Sequence, residues 1–173
     1  MEDERLVAQA RNGSREAARE LVLLYWPTIW RVVFGMTGRA GLAEEIAQET
    51  FARAFGALDR FDAERPLGPW LRRIAVNRTI DELRRERRLE LVDPEPSEPA
   101  YEDALSDEAT IEAVRALDPD RRAVVVLRFW LDWSLDQIAD ALDVPVGTVS
   151  SRLTRALAEL RDEEGGKSDA CSA

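Results

Sequence analysis

The chain has 173 residues, a formal charge of −10 and no His. The missing imidazole removes the usual general base and most transition-metal sites, and a single Cys, Cys171, leaves nothing for an intramolecular disulfide. No apolar run approaches the ~20 residues that span a bilayer, and the charged start "MEDERLVAQARNG" is unlike an export signal, so a cytoplasmic protein without membrane insertion is expected.

Apolar residues recur at helical spacing through most of the chain and no segment sustains strand alternation, so the fold class is all-α. A first helix covers residues 6–12. Ser14 caps a second, running from Glu16 to Tyr25. Pro27 opens another, with Ile29, Trp30, Val33 and Phe34 on one face, and residues 37–41 break it. A long helix over residues 42–58 carries the stripe Leu42, Ile46, Ala47, Ala54, Phe55 and Leu58. Residues 60–69 read as a loop, because two Pro and a Gly interrupt helical pairing. A further long helix spans residues 70–88, with Leu71, Ile74, Ala75 and Ile80 or Leu83 inward.

Residues 91–109 are rich in Pro and acids and show no buried periodicity, the composition of an extended, self-repelling linker. It separates one helical domain, residues 1–90, from a second, residues 110–162, and residues 163–173 read as a disordered tail. The second domain is a four-helix module. Ile111, Val114 and Leu117 mark its first helix, and residues 121–130 its second. Ser134, three residues before Gln137, forms a capping box that starts the third. Pro145 opens the fourth at its first position, and Gly147 is expected to let the two helices approach closely. Two helices joined by so short a turn are a helix-turn-helix, which places the start of its second helix in a DNA major groove. The outward residues there are Thr148, Ser150, Ser151, Arg152, Thr154 and Arg155. The two arginines suit guanine edges or phosphates, and the hydroxyls suit phosphates.

Net charge conceals a sharp local division. Residues 71–88 hold seven Arg against three acids, residues 89–120 hold eleven acids against one Arg, and residues 145–161 hold three Arg against one acid. Both modules are therefore basic where they would meet phosphate, and the local field governs such a surface more than the total does.

With these segments in view the chain resembles a family. "IADALDVPVGTVSSRLTRALAELR" is similar to the region 4 helix-turn-helix of bacterial sigma factors of the extracytoplasmic-function group. "LAEEIAQETFARAFGAL" resembles region 2.2, and "WLRRIAVNRTIDELRRERR" resembles regions 2.3 and 2.4. The resemblance implies a non-enzymatic, cofactor-free promoter-specificity subunit of RNA polymerase. Region 4 would read the −35 element and meet the beta flap through apolar residues near 129–133. Glu45, Gln48, Glu49 and Arg53 would pack on the beta-prime clamp helices. The −10 element would be taken and melted by Arg72, Arg73, Asn77, Asp81, Arg84, Arg85 and Arg88, with the loop bearing Asp62 receiving a flipped base. An anti-sigma factor is the further partner expected. Ser150 and Thr154 depart from the basic and bulkier residues common at those positions, so no −35 sequence transfers. The alternative is a stand-alone helix-turn-helix repressor or activator, which needs a dimer seam that no heptad pattern supplies. A hydrolase or nuclease would need a His or a carboxylate cluster on one rigid face.

Overall fold

A computed structural model describes residues 2–90 and 108–170. The expected linker lies outside the described residues except at its end. Helix α1 (Glu2–Arg11) meets α2 (Arg15–Thr37) through a turn in which Gly13 takes φ +86°. The Ser14 hydroxyl accepts from the Ala17 amide at 3.2 Å and so caps α2. Pro27 was expected to begin a new helix, but α2 runs straight through it. Proline costs most where the carbonyl it frees is buried. Here Pro27 and Leu23, whose carbonyl is freed, are both exposed, so water can take the bond.

Gly38 ends α2 in the left-handed region, and α3 (Ala40–Gly56) follows. A 3-10 turn at Leu58–Arg60 and a loop at residues 61–66 lead into α4 (Leu67–Glu90). The loop is shorter than the sequence indicated. Pro69 sits in the first turn of α4, where its missing N–H has no helical acceptor to lose. Leu21, Ile29, Val33, Ile46, Phe51 and Leu71 close the core of this four-helix module.

The second module comprises α5 (Glu108–Ala116), α6 (Pro119–Val125), α7 (Leu135–Leu142) and α8 (Val146–Ala170). The single helix expected over 121–130 changes character at Val126 into a π-helical turn, Val126–Trp130, and the Leu131 amide reaches the Val126 carbonyl at 3.2 Å. The wider turn leaves Phe129 62% exposed while Leu127 is wholly buried. The capping box is present in both directions: the Ser134 hydroxyl accepts from the Gln137 amide at 3.2 Å, and Gln137 Oε1 accepts from the Ser134 amide at 2.9 Å. Pro145 stands just before α8 rather than inside it, its carbonyl accepting from the Val149 amide at 3.2 Å. Gly147 does not mediate a close approach, because a Cβ there would meet nothing within 4 Å. Helix α8 also continues past Arg161, where the apolar stripe stops.

The modules share a core. Val32 and Met36 from α2 and Val76 and Ile80 from α4 pack in one buried cluster with Val124, Leu127, Trp133 and Ile138. Helix α4 thus faces its own module on one side and α6 and α7 on another.

A chain of charges fastens α4 to α3. Glu49 accepts from Arg53 at 2.6 Å and from Arg78 at 2.5 Å, Arg78 reaches Glu82 at 2.8 Å, and Arg85 also pairs with Glu82. Glu82 is almost fully buried. The hydrogen bond from Arg85 is the largest influence on its carboxyl. Burial opposes it, Arg78 adds to it, and the pKa is lowered. For Glu49 burial is the largest influence and raises the pKa, but the bonds from Arg78 and Arg53 together outweigh it. Both groups bind protons less readily folded than unfolded, so their stabilisation is complete above the ordinary value of 4.5 and is lost as pH falls below it. Glu82→Gln should lower unfolding free energy at neutral pH by about 2 kcal/mol. The gap to the native chain should close as thermal melts are taken to lower pH; a pH-independent gap would show that charge is not the cause.

Candidate nucleic-acid interface

The N-terminal half of α8 displays the residues expected to enter a groove. Ser151, Thr154 and Arg155 are exposed, Thr148, Ser150 and Arg152 partly so. Ser151 and Thr154 donate to the Thr148 and Ser150 carbonyls, both at 3.0 Å, so their hydroxyls are satisfied by their own helix and keep lone pairs outward. Arg152 is turned back within its own module and pairs with Asp120 of α6 at 3.1 Å.

On α4 the expected residues fall into two groups. Arg72, Arg73, Asn77 and Arg84 face the second module. The Arg72 guanidinium lies 5.1 Å from the Trp133 ring centre, Arg73 pairs with Asp143 at 2.6 Å, and Asn77 donates to the Ala141 carbonyl at 3.5 Å. Arg84 pairs with Asp120 at 2.5 Å and lies 3.8 Å from Asp81. Arg88 and Asp81 are exposed, and Arg85 turns back to Glu82. Asp62 lies apart from both groups, at the loop tip, where it accepts from the Glu64 amide at 3.1 Å and pairs with Arg65 at 3.5 Å.

The outward side of α3 presents Glu45, Gln48 and Arg53 to solvent, with Gln48 donating to Glu44 at 3.5 Å. Glu49 differs from them, since its carboxylate is the link to α4 described above. Phe129, from the π-helical turn, is the exposed apolar side chain of the 129–133 stretch.

The arrangement brings the two basic surfaces toward each other. One carboxylate, Asp120, holds Arg84 from α4 through Oδ2 and Arg152 from α8 through Oδ1. Arg87 adds a 3.5 Å contact to Asp118. A guanidinium that grips a carboxylate this way offers the same donors to a phosphate. Sequence reasoning did not single out Asp118, Asp120, Asp143, Arg78 or Glu82. The acidic run and the basic helix were each visible, but nothing local says which Asp meets which Arg. No helix among the described residues is long and apolar enough to cross a membrane.

Both helical modules match known proteins. Residues 21–89 match the family model for sigma-70 region 2, and residues 107–160 match that for sigma-70 region 4. The chain is 31% identical to the ECF RNA polymerase sigma factor SigW of Bacillus subtilis, over 91% of this chain and 94% of that protein. It is 37% identical to the ECF RNA polymerase sigma factor SigL of Mycobacterium tuberculosis, over 77% of this chain and 80% of SigL. The solved structure of CnrH in complex with the cytosolic domain of CnrY superposes with a TM-score of 0.66 at 28% identity, covering 96% of this chain and 99% of CnrH. With both conserved regions present in order and near-complete coverage of a full-length relative, the chain belongs to the sigma-70 family as an extracytoplasmic-function sigma factor, a specificity subunit of RNA polymerase in transcription initiation.

Proposed function

We propose that three faces divide the work of this sigma factor. The start of α8 reads the −35 element, with Arg152 and Arg155 on bases or phosphates. The inward side of α4, with Arg72, Arg73, Asn77 and Arg84, and the loop at 61–66 take the −10 element as single strand. Glu45, Gln48 and Arg53 on α3 rest on the beta-prime clamp helices, and Phe129 meets the beta flap. The observation that carries this reading is the set of guanidinium–carboxylate pairs on α4 and α8, which are phosphate-type sites already filled by acids.

The conformation described is then a closed one. Asp143 and Asp120 occupy Arg73 and Arg84 of α4, which separation of the modules would free for promoter DNA, whereas Asp120 covers Arg152 within the second module, where DNA must displace it directly. The pairs are partly exposed, and pairs of that kind contribute about 0–1 kcal/mol each, which leaves the closed state within reach of a large competing surface. Polymerase core supplies such a surface. RpoE of Bartonella quintana has been solved with the anti-sigma factor NepR, and a negative regulator of that kind is the further partner proposed here. Bond making belongs to the polymerase, in the cytoplasm, and this chain lacks His, the commonest general acid–base group.

A stand-alone operator-binding regulator would have no use for the exposed side of α3. Pull-down with purified core separates the two, since a regulator need not bind core without DNA.

Glu45→Lys combined with Gln48→Ala should weaken core binding in that assay and leave the melting temperature unchanged. Glu49 is a poor test residue because its reversal would also break the link to Arg78. In transcription with purified core, Arg155→Ala should cost about 1–3 kcal/mol at one −35 position if it reads a base, or weaken all promoters alike and flatten the salt dependence if it holds a phosphate; no change in either would remove it from the groove. Asp120→Ala with Asp143→Ala should raise the free chain's affinity for promoter DNA, measured by fluorescence anisotropy at low salt. Unchanged affinity would show that these acids do not shield the arginines.

A further inference from the structure

Helix α1 lies before the stretch matched by the region 2 model, and none of the faces above uses it. Its residues nevertheless reach both ends of the loop that precedes α4, directly at the entrance and through Tyr25 of α2 at the exit. At the entrance, Arg11 Nε donates to the Leu58 carbonyl at 2.9 Å and Arg11 Nη2 donates to the Phe61 carbonyl. These carbonyls flank the last residues before the exposed tip. At the exit, Asp3 accepts from the Tyr25 hydroxyl, and the Tyr25 ring lies so near Gly68 that a Cβ there would stand 3.1 Å from it. Between these points the buried side chain of Val7 faces a cavity of about 200 Å³ that Phe61, Glu64, Arg65 and Leu67 also line.

Apart from α1, the loop is held by Phe61, whose ring centre lies 4.7 Å from that of Trp70, and by buried Leu67. Beyond them Asp62, Glu64, Arg65 and Pro66 are exposed. A recognition loop keeps its geometry only if a supporting layer locks it, because loops are less precise platforms than helices. A guanidinium suits this support. Its rigid fork can satisfy two carbonyls that point along one edge, whereas an ammonium is a single point donor on a flexible stem. The Gly13 turn and the Ser14 cap fix where α1 ends, and so where Arg11 begins.

We propose that α1 is a brace for the −10 loop and that Arg11 is its positioning residue, setting how strictly the loop discriminates the base it receives. The proposal rests on the reading of residues 61–66 as a −10 contact. Arg11 itself touches no DNA in it.

The test uses the full chain with purified core. Two promoter pairs are transcribed, one differing at a single −10 base and one at a single −35 base. Arg11→Ala should reduce −10 discrimination by about tenfold, the order of one mismatched pair, with −35 discrimination and core binding unchanged. Backbone amides of residues 61–65 should exchange faster with solvent. Arg11→Lys, which keeps the charge and one donor, should fall between; it carries the test alone if Arg11→Ala does not fold, and discrimination equal to the native chain's would then overturn the brace. Asp62→Ala with Glu64→Ala tests the loop reading separately. If those tip changes alter −10 discrimination while Arg11→Ala does not, the brace is wrong and the loop reading stands. Tip changes without effect overturn both.

Discussion

Asp120 holds an arginine from each module, and the relation of the two modules follows from that pairing and from the apolar contact beneath it. The carboxylate is four-fifths shielded, so its field is screened less than that of a fully exposed group. Arg84 and Arg152 would otherwise stand near each other with like charge. The apolar layer of Val76, Ile80, Leu127 and Trp133 is non-directional and supplies most of the attraction. The ion pairs set the register in which it closes. Such a division fits a contact that must form and be replaced: greasy enough to hold, yet keyed by charges that phosphate can take over.

Helix α4 is therefore under three demands. Leu71 and Ala75 belong to the first core, Val76 and Ile80 to the shared one, and Arg78 and Glu82 to the charged link with α3. Few of its positions are left without a structural task. This explains why the helix tolerates so many arginines in an acidic protein. Arg78 and Arg85 neutralise a buried glutamate, Arg73 and Arg84 meet acids from the other module, and Arg88 is exposed to solvent. It also separates residues that share a composition but not a role. Arg78 could not be told from Arg84 by its neighbours in sequence, yet one is 17% exposed and structural while the other sits at the face proposed for DNA.

Some expectations failed for reasons that are physical rather than statistical. Pro27 was read as the start of a new helix and Pro69 as part of a loop, because proline lacks a donor. Neither interrupts, the first because its freed carbonyl lies on the solvent side of α2, the second because it sits in a first turn that has no bond to lose. Gly147 was read as a contact point and instead faces open space. The π-helical turn left no local signature in "VLRF"; it arises where the chain must deliver Leu127 to the core and Trp133 to the shared cluster within a few residues.

What the sequence by itself determined is local. Ser14 and Ser134 start helices because a hydroxyl reaches an amide three residues on, and the apolar stripes of α3, α7 and α8 choose their buried faces by period alone. Those features place the helix-turn-helix and the basic helix, and the family follows from them. Tertiary structure alone decided that the two basic faces meet, that Asp120 and Asp143 fill them, that Glu49 is a strut and that Arg11 reaches the Phe61 carbonyl. Each of those pairings joins residues far apart in the chain, and a charge on a helix surface carries no mark of its partner until packing brings one within reach.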